Sequence, residues 1–277
     1  MRSEQITLAD GRTLAWDEYG ATDSATVLFH NHGTGSSRRE PALYDDLFTE
    51  IGLRVVVPDR PGYGLSTGLP AGRPLIDWAD DAAQLVAALG LDRFATSGYS
   101  GGGRHALALA ASGALGARVT RVIVQAGNAP DQPLEGDRDH EITEMVATLP
   151  WAEFTAGYTS NIGDELANLA PADEERFADP AFVEAATATV AEGARQGALG
   201  EACDGWAWAR PWGFELAAVT QPVDVWHGDA DTIVPIAHAH ALHAGLPDST
   251  LHVLPGDGHF SISRHFPDQV AVLVASP

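Results

Sequence analysis

Six short apolar runs, most of them separated by segments of helical spacing, restrict what this chain can fold into more than any other feature. They are ATVLFHNHG (25–33), LRVVVPD (53–59), RFATSGYS (93–100), VTRVIVQAG (119–127), PVDVWHG (222–228) and STLHVLPG (249–256). Such continuous runs read as strands buried on both faces. Strands that alternate with helices imply a parallel sheet joined by right-handed crossovers. The clearest helix is PLIDWADDAAQLVAALG, where Leu75, Trp78, Ala82, Leu85 and Leu89 recur at intervals of three and four before Gly90. Helices are also expected over 41–51, 102–112, 235–244 and 267–275. The opening QITLADGRTLAW alternates around Asp10-Gly11, which predicts two antiparallel strands joined by a two-residue turn. The expected architecture is therefore α/β, a mostly parallel eight-stranded sheet flanked by helices.

Residues 131–213 break the rhythm. They hold no good strand but carry helical patches, EITEMVATL, DELANLA and FVEAATATVAEGARQ. The spacing predicts a helical cap over 131–213, inserted into a core made of 1–130 and 214–277. Four of the seven tryptophans, Trp151, Trp206, Trp208 and Trp212, lie in this interval with Phe154, Tyr158, Phe177 and Phe182. They have two uses open to them, the lid of an apolar pocket or the cap's own core and its seam with the sheet.

Composition narrows the chemistry. A formal charge of -22 repels nucleic acid and anionic lipid, so neither is an expected partner. All 16 basic residues are arginine, which excludes Schiff-base lysine chemistry and a Walker-type phosphate loop. The single cysteine, Cys203, cannot form an intrachain disulfide and reads as a small buried side chain. The polar start MRSEQITLADGRTLAW lacks the pattern of a signal peptide, and no segment reaches the roughly 18 apolar residues of a membrane span. A cytoplasmic location is the expectation.

Ser100 stands at the centre of Gly98-Tyr99-Ser100-Gly101-Gly102, where a predicted strand meets a predicted helix. This is the setting of a nucleophile elbow, a turn so tight that the positions two before and two after must be small. A serine hydroxyl is a weak nucleophile and needs a base, which in turn needs an orienting carboxylate. The loops after two later predicted strands supply both: Asp229-Ala230-Asp231 after PVDVWHG, and Asp257-Gly258-His259 after STLHVLPG. Both loops follow carboxyl ends of predicted parallel strands, where active sites of open α/β sheets gather. Among the 11 histidines, His259 has the order and setting of a base. His30, His32 and His227 read as turn buttresses, and His238, His240 and His243 as an exposed helix face without further metal ligands. The backbone N–H of Gly101 would be one donor to a developing oxyanion.

With these motifs the chain resembles the α/β-hydrolase superfamily, in its serine esterase and lipase-like branch with a helical cap. The resemblance covers essentially the whole chain apart from the cap. The family's H-G-x-x-D pattern implies Asp231, rather than Asp229, as the acid, and its late G-H implies His259 as the base. Some members place the acid after the preceding strand, where this chain has Asn128 and then Asp131. His32-Gly33-Thr34-Gly35 resembles the family's H-G-x-G, which assigns the second oxyanion donor to Thr34. Asp59-Arg60-Pro61-Gly62-Tyr63-Gly64-Leu65-Ser66 matches a D-x-x-G-x-G-x-S stretch that shapes a loop near the site, and it reads as structural.

The implied function is hydrolysis of a carboxylic ester or related acyl compound, with a small-molecule, medium-sized hydrophobic acyl substrate and no cofactor. Serine at the elbow argues against haloalkane dehalogenases and epoxide hydrolases, which use aspartate there. Gly101 argues against proline iminopeptidases, whose elbow carries tryptophan after the serine. Cofactor-free perhydrolase, lyase or peptidase chemistry shares the triad and stays open, as does a non-catalytic ligand-binding relative.

Overall fold

A computed structural model describes residues 2–130, 137–160, 163, 166–167 and 169–274. Its centre is an eight-stranded sheet in the order β1-β2-β4-β3-β5-β6-β7-β8. The strands are β1 Arg2–Thr7, β2 Thr13–Gly20, β3 Val27–Asn31, β4 Arg54–Pro58, β5 Phe94–Tyr99, β6 Val119–Gln125, β7 Val223–Gly228 and β8 Ser249–Leu254. β2 pairs antiparallel with β1 and β4, and every other pairing is parallel, as the six apolar runs imply. Strand alternation sends neighbouring side chains to opposite faces. Leu28, Val55 and Val57 pack with Tyr19, Phe48 and Phe266 on one face, while Phe29 and Val56 join Leu85, Leu107 and Val124 on the other. All five residues of β3 are buried, which is why its sequence shows no polar alternation.

The first hairpin differs from expectation by one residue. Leu8 N–H donates to Arg12 O at 2.7 Å, leaving a three-residue loop, Ala9-Asp10-Gly11, in place of a two-residue turn. Gly11 takes φ 88°, the left-handed position that closes three-residue hairpins.

The helices are α1 Asp45–Glu50, α2 Trp78–Ala88, α3 Gly102–Ala111, α4 Asp137–Thr148, α5 Trp151–Gly157, α6 Pro171–Phe177, α7 Pro180–Gly193, α8 Leu199–Trp208, α9 Ala237–Gly245 and α10 Phe266–Val274. The helix expected over 41–51 divides into a 3-10 turn, Glu40–Tyr44, and the short α1. α2 buries Trp78, Ala82 and Leu85 as its spacing predicts, and Gly90 stops it at φ 63°. Between β6 and β7 lie α4 to α8. Of the patch DELANLA, residues 164, 165 and 168 lie outside the described residues, as does Asp131. No helix among the described residues is long and apolar enough to cross a membrane.

The aromatic residues of that interval divide their work. Trp151, Phe154, Tyr158, Trp206 and Trp208 pack with Ile142 and Val146 in a cluster of their own. Trp212 belongs to the main core, and only Phe177 and Phe182 reach the cavity described below. Of the eight, two thus line a cavity, five pack in a cluster of their own and one joins the main core.

Candidate active site

β5 runs into α3 through Ser100, whose φ of 51° is left-handed, a conformation that costs a non-glycine residue about 1–3 kcal/mol. The turn is held by Ser100 N–H donating to Gln125 O at 2.8 Å and Gly103 N–H donating to Ser100 O at 2.9 Å. It is crowded: a Cβ at Gly98 would strike the Gly102 carbonyl, and one at Gly102 would strike that of Asn31. Both glycines answer a demand for smallness, since neither has a positive φ.

Three side chains from the ends of β5, β7 and β8 meet here. His259 Nε2 lies 3.0 Å from Ser100 Oγ, and His259 Nδ1 lies 2.8 Å from Asp231 Oδ2. Asp231 Oδ1 accepts from the N–H groups of Ile233 (2.9 Å) and Val234 (2.8 Å), which orients the carboxylate. Burial opposes its ionisation, but His259 and His227 outweigh that and hold the carboxyl well below the usual range. Asp229 is exposed and accepts instead from Gly256 N–H at 2.7 Å. Asn128 accepts from Arg104. His30 bridges Ser97 and Glu40, and His227 Nε2 donates to Val234 O; His240 and His243 are exposed as expected, but His238 is buried, where its Nδ1 accepts from Ala129 N–H.

One residue of α6 that motif reading misses fixes the base from behind. Asp173, fully buried, accepts from the backbone N–H groups of His259 (2.9 Å), Phe260 (3.0 Å) and Ser261 (2.7 Å).

A second missed group lies under Thr34. Asp204 on α8 meets Arg60 through two hydrogen bonds, Nε to Oδ1 at 3.1 Å and Nη2 to Oδ2 at 2.5 Å, and accepts from Tyr63 Oη at 2.9 Å and Thr34 Oγ1 at 3.4 Å. Arg60, with no exposed surface, also donates to the carbonyls of His32 and Gly33. The Gly33 carbonyl accepts as well from His32 Nδ1 at 2.8 Å. In a trans peptide the N–H points opposite to the C=O. Tethering the Gly33 carbonyl thus aims the Thr34 N–H the other way. On the facing loop, His105 Nδ1 donates to Gly101 O at 2.9 Å, and Thr34 Oγ1 fills the space beside the Gly101 Cα. The stretch read as structural from its D-x-x-G-x-G-x-S pattern contributes Arg60 and Tyr63 to this cluster.

The cluster keeps its imidazoles neutral. Burial, reinforced by Arg60 and Arg104 and opposed by Asp204, pushes His105 down to about 3; burial and Arg60 also hold His32 well below the ordinary value. The 3.5 Å approach of His105 Nε2 to Asp204 is therefore no ion pair at neutral pH. A histidine with a depressed folded pKa takes up its proton more readily when unfolded, so stability is lost as pH falls below about 6.5. Asp204 and Asp231, whose pKa values are depressed, add a loss below about pH 4. The melting temperature should decline from pH 7.5 to 4.5, and His105→Gln should flatten the upper part of that decline. An identical slope in the variant would remove His105 from this account. Cys203, one residue before Asp204, is buried and its thiol is pushed up to about 12, so it is no thiolate at neutral pH.

Ser100 and His259 open onto a cavity of about 490 Å³. Its walls come from the 3-10 turn at Glu40–Tyr44, from α7 and from Phe177, Phe260 and Phe266, so they are mostly apolar. Thr34 also lines it.

A family model described as the α/β hydrolase fold matches residues 25–266. A pimeloyl-[acyl-carrier protein] methyl ester esterase of Aromatoleum aromaticum is 31% identical over 90% of this chain and 95% of its own. A non-heme chloroperoxidase of Burkholderia pyrrocinia is 28% identical over 92% of each chain. Among solved structures, the enol-lactonase from Burkholderia xenovorans superposes with a TM-score of 0.74 over 99% of this chain and 100% of its own, at 17% identity.

Proposed function

The chain belongs to the α/β hydrolase fold family, and from that premise we propose that it cleaves a carboxylic ester or related acyl substrate through an acyl-enzyme on Ser100. The observation that carries this reading is the unbroken line from Ser100 Oγ through His259 to Asp231 beside an apolar cavity. As Ser100 Oγ attacks the substrate carbonyl, its proton passes to His259 Nε2. Asp231 holds the tautomer with Nδ1–H and stabilises the imidazolium. The N–H groups of Gly101 and Thr34 receive the oxyanion, and His259 protonates the departing alcohol. Water then attacks the acyl-enzyme with His259 as base and releases the acid.

In this reading residues 131–213 act as a cap on a core of 1–130 and 214–277, with α7 as the wall that faces the substrate. The apolar lining, with Phe177, Phe182, Val183 and Phe266, supports a small hydrophobic acyl group. The name of the chloroperoxidase relative favours a second reading on the same residues, in which hydrogen peroxide replaces water in the second half-reaction and a peracid leaves. Mass spectrometry after treatment with a fluorophosphonate tests the shared first step. The expected adduct is on Ser100 and is lost in His259→Ala. A folded protein that stays unlabelled would overturn both readings.

A further inference from the structure

Glu40 opens the 3-10 turn Glu40–Tyr44 and is the one acidic residue among the described residues that line the cavity; no arginine is among them. Its side chain is 16% exposed, so the carboxylate is neither sealed inside the wall nor surrounded by bulk water. Two contacts hold it: Oε2 accepts from Gly33 N–H at 2.8 Å, and Oε1 lies 2.8 Å from His30 Nε2. Gly33 is followed by Thr34, whose N–H is the second oxyanion donor of the proposed reaction. The carboxylate is thus anchored one peptide unit from the seat of the oxyanion. The two arginines that hold the oxyanion loops, Arg60 and Arg104, are buried, do not line the cavity, and bond Asp204, Asn128 and backbone carbonyls.

The geometry does not need the charge. A glutamine amide would accept from Gly33 N–H through its oxygen and donate to His30 Nε2 through its nitrogen, with the imidazole proton on Nδ1 facing Ser97 Oγ. The charge does alter what the cavity admits, because an apolar wall screens it weakly. A like charge about 10 Å away is disfavoured roughly tenfold, and an opposite one is favoured to the same degree. We infer that Glu40 is a specificity-determining residue of the Ser100 site: its carboxylate excludes substrates with an anionic group near the scissile carbonyl. The substrate class is an ester whose acyl chain is uncharged or carries an ammonium group. This inference rests on the proposed roles of Ser100 and Thr34, which place the reacting carbonyl beside Glu40.

Two pairs of ethyl esters of matched shape test it, each over a range of chain lengths. In one pair the acyl chain ends in a carboxylate or a carboxamide, and in the other in a trimethylammonium or a tert-butyl group. Assays run at about pH 8.5, above the ordinary histidine range, and in about 1 M salt, which screens the net charge of -22 at long range. The wild type is expected to show a kcat/KM at least about tenfold higher for the carboxamide than for the carboxylate. In Glu40→Gln both ratios, carboxamide to carboxylate and ammonium to tert-butyl, are expected to fall by about tenfold. The cost of taking a charged group out of water is common to both proteins and cancels in that comparison. Glu40→Met keeps the length of the side chain without the charge, and both ratios are expected to fall in it too, whatever rate it loses through the freed Gly33 N–H. A residue serving only the fold would change all four esters alike. Ratios that stay within twofold of the wild type in both variants, a fall in only one of the two ratios, or a wild type that takes the carboxylate as readily as the carboxamide overturns the inference. Ser100-dependent hydrolysis of the neutral esters would then leave the proposed function standing. Hydrolysis that persists in Ser100→Ala, or no hydrolysis of any member, overturns both.

Discussion

Ser100→Ala should lower kcat by about 10⁴- to 10⁶-fold with little change in KM. The loss is large because the Oγ is the atom 3.0 Å from His259 Nε2, and without it no covalent intermediate forms by this route. What remains is the contribution of the backbone donors and of substrate positioning. KM is expected to hold because the cavity walls do not depend on this hydroxyl, and alanine meets the same constraint at φ 51° as serine. Steady-state kinetics on an aryl ester check the prediction, with enzyme concentration taken from active-site titration of the wild type. A variant retaining a tenth of the wild-type rate would dismiss Ser100 as nucleophile.

Asp204→Ala should cost about 3–5 kcal/mol of stability, the usual consequence of leaving a buried charge without its partner. Arg60 is the charge in question, since it has no exposed surface and its guanidinium pairs with Asp204 through two hydrogen bonds. The pair need not stabilise the fold relative to apolar residues of the same shape; the penalty comes from removing one half. The same substitution releases the guanidinium that tethers the Gly33 carbonyl, so the Thr34 N–H loses its fixed direction. In the folded fraction kcat should fall by about tenfold or more while KM changes little, the pattern of an interaction made in the transition state. Asp204→Asn, which keeps an acceptor and the shape, should lose less of both. Urea denaturation and kinetics on the same preparations measure the two effects. Unchanged stability and kcat in Asp204→Ala would refute this account of the cluster.

Much of the frame is legible in the sequence because its signals are local. A strand buried on both faces announces itself as an apolar run, and the elbow glycines stand where crowding requires them. Ser100, Asp231 and His259 each sit at the end of a recognisable run, so their order is readable. Asp173 and Asp204 are not readable in this way. Their partners lie 86 and 144 residues away, and neither side chain belongs to a pattern with its neighbours. For Asp204 a weak signal exists, an acid inside the otherwise apolar Cys203-Asp204-Gly205-Trp206, which hints at a buried cation elsewhere. The one-residue error at Asp10-Gly11 has a similar origin. A glycine in the left-handed region closes two- and three-residue hairpins alike, and the choice between them falls to the pairing of Leu8 with Arg12.

Three successive helices, α6, α7 and α8, each send a buried carboxylate to a partner beneath them: Asp173 into the turn at 259–261, Glu192 onto Arg38, and Asp204 onto Arg60. A chimera that receives this helical segment from another relative would therefore inherit mismatches at three points. Arg38 would keep Asp17 and Asp59, but Arg60 would be stranded unless the donor also brought an acid at the position of Asp204. Phe177, Phe182 and Val183 carry none of these carboxylates and yet line the cavity. Drift in substrate range is thus free to proceed through point changes on those three residues, whereas wholesale exchange of the segment requires its arginine partners to travel with it.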